Sequence, residues 1–197
     1  VRGANKVLFS NRTEGEDTDN TNGHVNYFMN GGFNVTAGDS GNVNENNEDY
    51  VAWCWKAGGD SNTYNIDGKG YATAAAAGLD GGTKNPTGAS VNTEAGFSIV
   101  TYTGTGGDQT FGHGLSSAPE IVIVKCRSHD STLWPVIHKD VAASKYLNLQ
   151  STIAETASES MWNSTYPSST VVSIGGSSHT STSGRTYLAY CFHSVEG

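Results

Sequence analysis

The stretch Tyr187-Leu188-Ala189-Tyr190-Cys191-Phe192 decides the fold, because it closely repeats an earlier stretch, Tyr50-Val51-Ala52-Trp53-Cys54-Trp55. In an extended strand successive side chains point to opposite faces. In either stretch neither face is polar, which predicts an interior strand covered on both sides. The predicted structural core residues of the two strands are Tyr50, Ala52, Trp53, Cys54, Trp55, Tyr187, Ala189, Tyr190, Cys191 and Phe192.

The composition favours an all-β fold. The 197 residues include 25 glycines but only four prolines, with many Ser, Thr and Asn, which is typical of short strands joined by turns. We therefore predict antiparallel β-sandwich units of a jelly-roll-like type; a closed barrel would use the same alternation. The net charge of -8 disfavours binding to nucleic acid. No apolar run approaches the ~20 residues that span a bilayer, so we expect no membrane insertion.

The echo between the two stretches extends to their surroundings and predicts an internal repeat. A strand-like segment begins at Lys6 and another at Lys145, and they precede the two Tyr stretches by 44 (50 − 6) and 42 (187 − 145) positions. We predict a partial first β-sandwich unit at residues 1–57, an ordered Gly/Ala-rich connector at 58–95 and a complete second unit at 96–197. The first copy is truncated at its N-terminal side, since nothing in it matches the apolar runs 121–124 and 134–137.

Motifs for catalysis or cofactor binding are missing from the sequence. It has no G-x-S-x-G elbow, no CxxC and no pair of His at helical spacing, so no catalytic residue, metal ligand or cofactor is predicted. His113, between two glycines, is interpreted as a turn or loop-mouth residue. The acidic loop 39–49 could hold calcium but lacks the EF-hand spacing, and a solvated loop is the preferred interpretation.

The cysteines and aromatic residues leave two further hypotheses. The three cysteines are interpreted as buried free thiols; a Cys54–Cys191 disulfide would require the two strands to lie within about 7 Å. Trp162 and Tyr166, flanked by Ser, Asn and Thr, are the candidate pair for binding a glycan or another partner.

Several phrases of the sequence resemble a domain of marine bacteriophages, found especially in cyanophage tail-fibre and other virion proteins. They are residues 50–58, 93–104, 112–115, 118–125 and 187–192, and the resemblance extends to residues 1–4. The resemblance implies a location in the phage particle, other virion proteins as partners, self-association into a homo-oligomer and contact with a host cell-surface glycan. The expected function is a non-enzymatic virion structural protein, of a tail fibre or appendage, with a role in host attachment. A lectin-like glycan-binding module and a fibre-borne polysaccharide depolymerase remain the alternatives.

Overall fold

The chain is nearly all β, as predicted. The computed structural model describes residues 6–18, 23–36 and 43–196. The described residues form thirteen strands and one four-residue helix. In chain order they are β1 Val25–Met29, β2 Gly32–Val35, β3 Tyr64–Ile66, β4 Lys69–Tyr71, β5 Gly88–Asn92, β6 Phe97–Thr103, β7 Gln109–Gly112, β8 Ile121–Cys126, β9 Pro135–His138, β10 Lys145–Asn148, β11 Thr156–Ala157, α1 Glu159–Trp162, β12 Val171–Ile174 and β13 Thr186–Phe192.

The chain divides into two compact units. The first contains Val1–Phe9 and Glu16–Cys54, and the second contains Ser10–Gly15 and Trp55–Gly197. In the described part of the first unit, β1 and β2 form an antiparallel hairpin, and an isolated bridge joins Val7 to Asp17. Residues 1–4, and residues 39–42 of the acidic loop for which calcium was considered, lie outside the described residues.

A nine-stranded sheet dominates the second unit. Its strand order is β11-β10-β9-β8-β13-β6-β5-β3-β4. Every neighbouring pair is antiparallel except β3 and β5, which run parallel. The stretch 187–192 lies in β13 at the centre of this sheet, paired with β6 on one side and β8 on the other. The prediction of an interior strand is confirmed for this copy.

One face of the sheet packs into a core that elements outside the sheet also enter. Tyr187, Ala189 and Cys191 of β13 are fully buried on this face, as the alternation predicts. β7 and β12 pair as a separate two-stranded sheet. The side chains that β7, α1 and β12 add to the same buried cluster are Phe111, Met161, Trp162, Val172 and Ile174.

Stacked aromatic rings hold the middle of this core and anchor a loop. The Tyr102 ring stacks on Phe111 with centroids 4.6 Å apart and on Tyr187 at 5.2 Å. The Tyr102 hydroxyl donates to the Thr180 carbonyl at 2.8 Å, and the Tyr187 hydroxyl donates to the Ser178 carbonyl at 3.2 Å. Because a buried tyrosine hydroxyl needs a partner, the two rings fix the Ser/Thr-rich loop before β13.

The segment 58–95, predicted as a connector, contributes strands to the large sheet. It supplies β3, β4 and β5, and it lies within the second compact unit. A turn at Asp67 and Gly68 joins β3 to β4. A helical turn in the alanine run ends at Gly78, which has a positive φ of 69°.

The prediction of an interior strand at Tyr50–Trp55 is wrong. This stretch forms no strand, and Tyr50, Val51, Trp53 and Trp55 are 50–76% exposed. β13 is buried because β6 and β8 flank it along its length, whereas no strand in the described part of the first unit flanks residues 50–55. The same apolar sequence is therefore covered in one place and exposed in the other. The two-copy repeat itself stays a prediction.

The cysteines are free, but they are not all buried. Cys126 and Cys191 lie in the core, whereas Cys54 is exposed. Burial raises the pKa of the Cys191 thiol to about 12, with the Ser98 hydroxyl acting in the opposite direction. The prediction of three buried thiols is therefore wrong for Cys54.

Candidate functional site

A buried lysine at the end of β8 is the most unusual charged group in the described residues. Lys125 continues the alternation of Ile121 and Ile123 and thus lies on the face opposite the main core, yet it is 0% exposed. Lysine is almost never fully buried unless its ammonium group has partners. The surroundings of Lys125 therefore form the candidate site.

Three oxygen atoms satisfy the three N–H donors of the Lys125 ammonium group. Nζ donates to the Thr13 carbonyl at 2.9 Å, to the Thr132 carbonyl at 2.7 Å and to Thr132 Oγ1 at 3.1 Å. The Trp134 ring lies 5.6 Å from Nζ, within the range of a cation–π contact. The ammonium group thus acts as a three-way hydrogen-bond donor to uncharged oxygens.

Burial and nearby carboxylates have opposite effects on this lysine. Burial lowers the pKa of Lys125 to about 8, while the charges of Glu14 and Asp130 raise it. Burial and the positive charge of Lys125 also lower the pKa of the half-buried His179, whose Nδ1 accepts the Leu133 N–H at 3.2 Å.

The site holds a segment from the N-terminal part of the chain that begins with a turn at Ser10 and Asn11. We call residues Ser10–Gly15 the strap, and the group Lys125, Asp130, Thr132 and Trp134 the cleft. The Trp134 indole N–H donates to the Arg12 carbonyl at 3.0 Å. The Thr132 N–H donates to the Thr13 carbonyl at 3.1 Å, and the Gly15 N–H donates to Asp130 Oδ1 at 2.8 Å.

The last residue of the strap must be glycine. Gly15 is buried, and a Cβ atom there would lie 2.8 Å from the Arg127 carbonyl oxygen and 3.2 Å from the backbone N and O of His129. Such contacts are with backbone atoms, which cannot rotate away. The cleft therefore recognises backbone carbonyls, a backbone N–H and the absence of a side chain, which is the chemistry of peptide binding.

This site was not predicted from the sequence, although the sequence contains a signal for it. A single lysine at an inward position of the most apolar run, residues 121–126, indicates a buried ammonium group with dedicated acceptors. The strap itself lies more than 100 positions away in sequence. The polar residues of the strap do not indicate that another part of the chain binds them.

The aromatic pair predicted to bind a glycan does not form a platform. Trp162 is 0% exposed and belongs to the core, so the prediction is wrong for this residue. The Ser and Asn that flank Trp162 belong to α1 and to its C-terminal end, where Asn163 adopts a left-handed conformation. Tyr166 is 46% exposed, and its hydroxyl donates to the Val141 carbonyl at 3.0 Å. It remains an untested candidate.

His113 is not at a loop mouth but is fully buried. Its Nδ1 accepts the Leu115 N–H at 3.1 Å, so Nε2 carries the proton and donates to the Ser168 carbonyl at 3.2 Å. Burial lowers the pKa of His113 to about 4, against the raising effect of the Ser168 carbonyl. The imidazole is therefore a neutral structural link between two loops.

A shallow cavity of about 440 Å³ lies beside β5, lined by Lys56, Asp67, Asn92 and Glu94 among others. The Asp67 carboxylate already accepts the Thr93 N–H at 2.8 Å and its hydroxyl at 2.6 Å. The Asp67 carboxylate therefore ties the turn after β3 to Thr93.

Neither a metal cluster nor a membrane-spanning helix is found in residues 6–18, 23–36 and 43–196. These residues contain no group of three or more His, Cys, Asp or Glu that could hold a metal ion. None of their helices is long and apolar enough to cross a bilayer.

Fold and site together define a β-rich domain whose clearest binding feature is a cleft for a backbone segment. The chain belongs to the family described as a domain of unknown function (DUF7483). The family model matches it over residues 1–197. Neither a curated protein nor a solved structure matches it.

Proposed function

We propose that this chain is a non-enzymatic structural protein of a bacteriophage virion, a component of a tail fibre or related appendage that also contributes to host-surface adhesion. The resemblance to cyanophage virion domains supports the location. The β-rich fold and the structural use of Lys125, His113 and Asp67 in hydrogen bonds support a role in construction. Its partners are other virion proteins, further copies of itself and a host surface glycan.

The exposed apolar surface of the first unit is the observation that carries the assembly role. Three large apolar side chains of this unit, Phe28, Val51 and Trp53, are 68%, 73% and 76% exposed, and we refer to them together as the aromatic surface. Large apolar side chains at such exposure are unfavourable in an isolated subunit and are typical of protein interfaces. We infer that assembly covers them.

We also propose that the two units are related jelly-roll-like sandwiches and that the first of them is incomplete. Support comes from β2 and β12, which end 15 (50 − 35) and 13 (187 − 174) positions before the two Tyr stretches. On this interpretation, residues 50–55 become an interior strand when a neighbouring subunit lends the strands that correspond to β6 and β8.

Self-association tests the proposal through a matched pair of variants. Trp53→Ser removes the most exposed aromatic side chain of the aromatic surface. Ile153→Ser removes a 64% exposed side chain of the second unit. Sedimentation velocity should show concentration-dependent association for the wild type and for Ile153→Ser, and a shift towards monomer for Trp53→Ser. A wild type that stays monomeric at all concentrations would contradict the assembly role.

A further inference from the structure

We propose that the cleft is a docking site for the strap of a second copy of this chain, so that neighbouring copies are linked by strap exchange. This inference deepens the proposed assembly function and rests on it. It names a second contact between copies, distinct from the aromatic surface.

The hydrogen bonds between the cleft and the strap engage backbone atoms of the strap. The cleft binds the carbonyls of Arg12 and Thr13 and the N–H of Gly15. The side chains of residues 11–14 are exposed. Nothing in these contacts depends on which polypeptide supplies the strap, and a strap from another copy offers the same three backbone groups and the same glycine.

The chain connectivity favours exchange. The strap belongs to the second unit, yet 39 residues, Glu16–Cys54, separate it from the remainder of that unit, which begins at Trp55. Residues 16–54 belong to the other compact unit, so the strap is not joined directly to the part of the chain that builds the cleft. Exchange of an identical element between copies is a low-cost route to oligomers. A strap from a neighbouring copy can therefore compete with the strap of the same chain.

Selectivity for the strap comes from Gly15. A side chain at this position would meet the Arg127 carbonyl oxygen at 2.8 Å. Gly15→Val therefore disables a strap and leaves every residue of the cleft in place. The reciprocal variant, Trp134→Phe with Asp130→Ala, removes the donor to Arg12 and the acceptor for Gly15 and leaves the strap intact.

A peptide of residues 8–17 tests the cleft as a binding site. In fluorescence anisotropy, the labelled peptide should bind to the full-length Gly15→Val protein. The same peptide carrying Gly15→Val should bind at least tenfold more weakly, because the substitution on the ligand alone creates the steric conflict. Equal binding of the two peptides, or binding of neither to a Gly15→Val protein with native circular dichroism, would overturn the proposal.

A measurement on the wild type covers the case in which Gly15→Val does not fold. Excess unmodified peptide should displace the resident strap and accelerate hydrogen exchange at the Gly15 amide, which bonds to Asp130. The Gly15→Val peptide should leave the exchange rate unchanged. No acceleration by the unmodified peptide at millimolar concentration would count against an exchangeable strap.

Mixing full-length variants tests the second copy as the occupant. The Gly15→Val protein has an intact cleft and a disabled strap, and the Asp130→Ala/Trp134→Phe protein has the reverse. Native mass spectrometry of the mixture should show a one-to-one heterodimer well above the homodimer level of either variant. Peptide binding without heterodimer would overturn strap exchange while leaving the virion proposal intact. A protein that is absent from phage particles would instead contradict the proposed function.

Discussion

His113→Gln should make the protein less sensitive to acid. The buried imidazole has a pKa of about 4, compared with 6.5 when exposed. Between these two pH values the unfolded chain binds the proton and the folded chain does not, so stability falls as the pH is lowered. The difference of 2.5 pKa units (6.5 − 4) corresponds to about 3.4 kcal/mol in full, of which about 2 kcal/mol is lost between pH 7 and pH 5.

Urea unfolding at pH 7 and pH 5 measures this loss directly. The wild type should lose about 2 kcal/mol more than His113→Gln over this interval. His129→Gln, at an exposed histidine, should behave as the wild type. In NMR spectra, the His113 ring should show no titration above pH 5. A ring that titrates near pH 6.5, or identical pH dependence in all three proteins, would refute the reasoning.

Three further predictions concern the core. An aromatic disulfide reagent should titrate one thiol of the native protein rapidly, that of exposed Cys54, and reach Cys191 only on unfolding; rapid reaction of more than one thiol would contradict the burial. Tyr102→Phe, which removes the buried hydroxyl that donates to a loop carbonyl, should cost about 1–3 kcal/mol of unfolding free energy in denaturant titrations. An unchanged midpoint would show that this bond is unimportant. Gly112→Ala places a Cβ 2.6 Å from a backbone oxygen and should cost about 1–3 kcal/mol, whereas Gly107→Ala, with open space around it, should lower the melting temperature far less.

The strands predicted best from the sequence are those whose apolar pattern alone indicates their position inside the sheet. β8 and β13 carry apolar residues on both faces, and both lie inside the sheet. β5 was missed because Gly88–Asn92 contains a single β-branched residue, Val91. Its place depends on pairing with β6 and β3, which local sequence does not encode.

The candidate site was harder to predict than the fold. A buried Lys125 could have been suspected from its register, but one of its three acceptors, the Thr13 carbonyl, comes from a strap remote in sequence. The exposed stretch 50–55 shows the converse. Its pattern is that of a buried strand, and burial requires neighbouring strands that the described part of the first unit lacks. Apolar pattern indicates what a segment can pair with, not whether its partner is present.

Immunogold electron microscopy of intact, purified phage particles tests the virion role most directly. An antibody raised against the second unit should label tail fibres or a related appendage at regular positions. Particles from which the protein is absent, with all label in the cytosol of infected cells, would contradict the account.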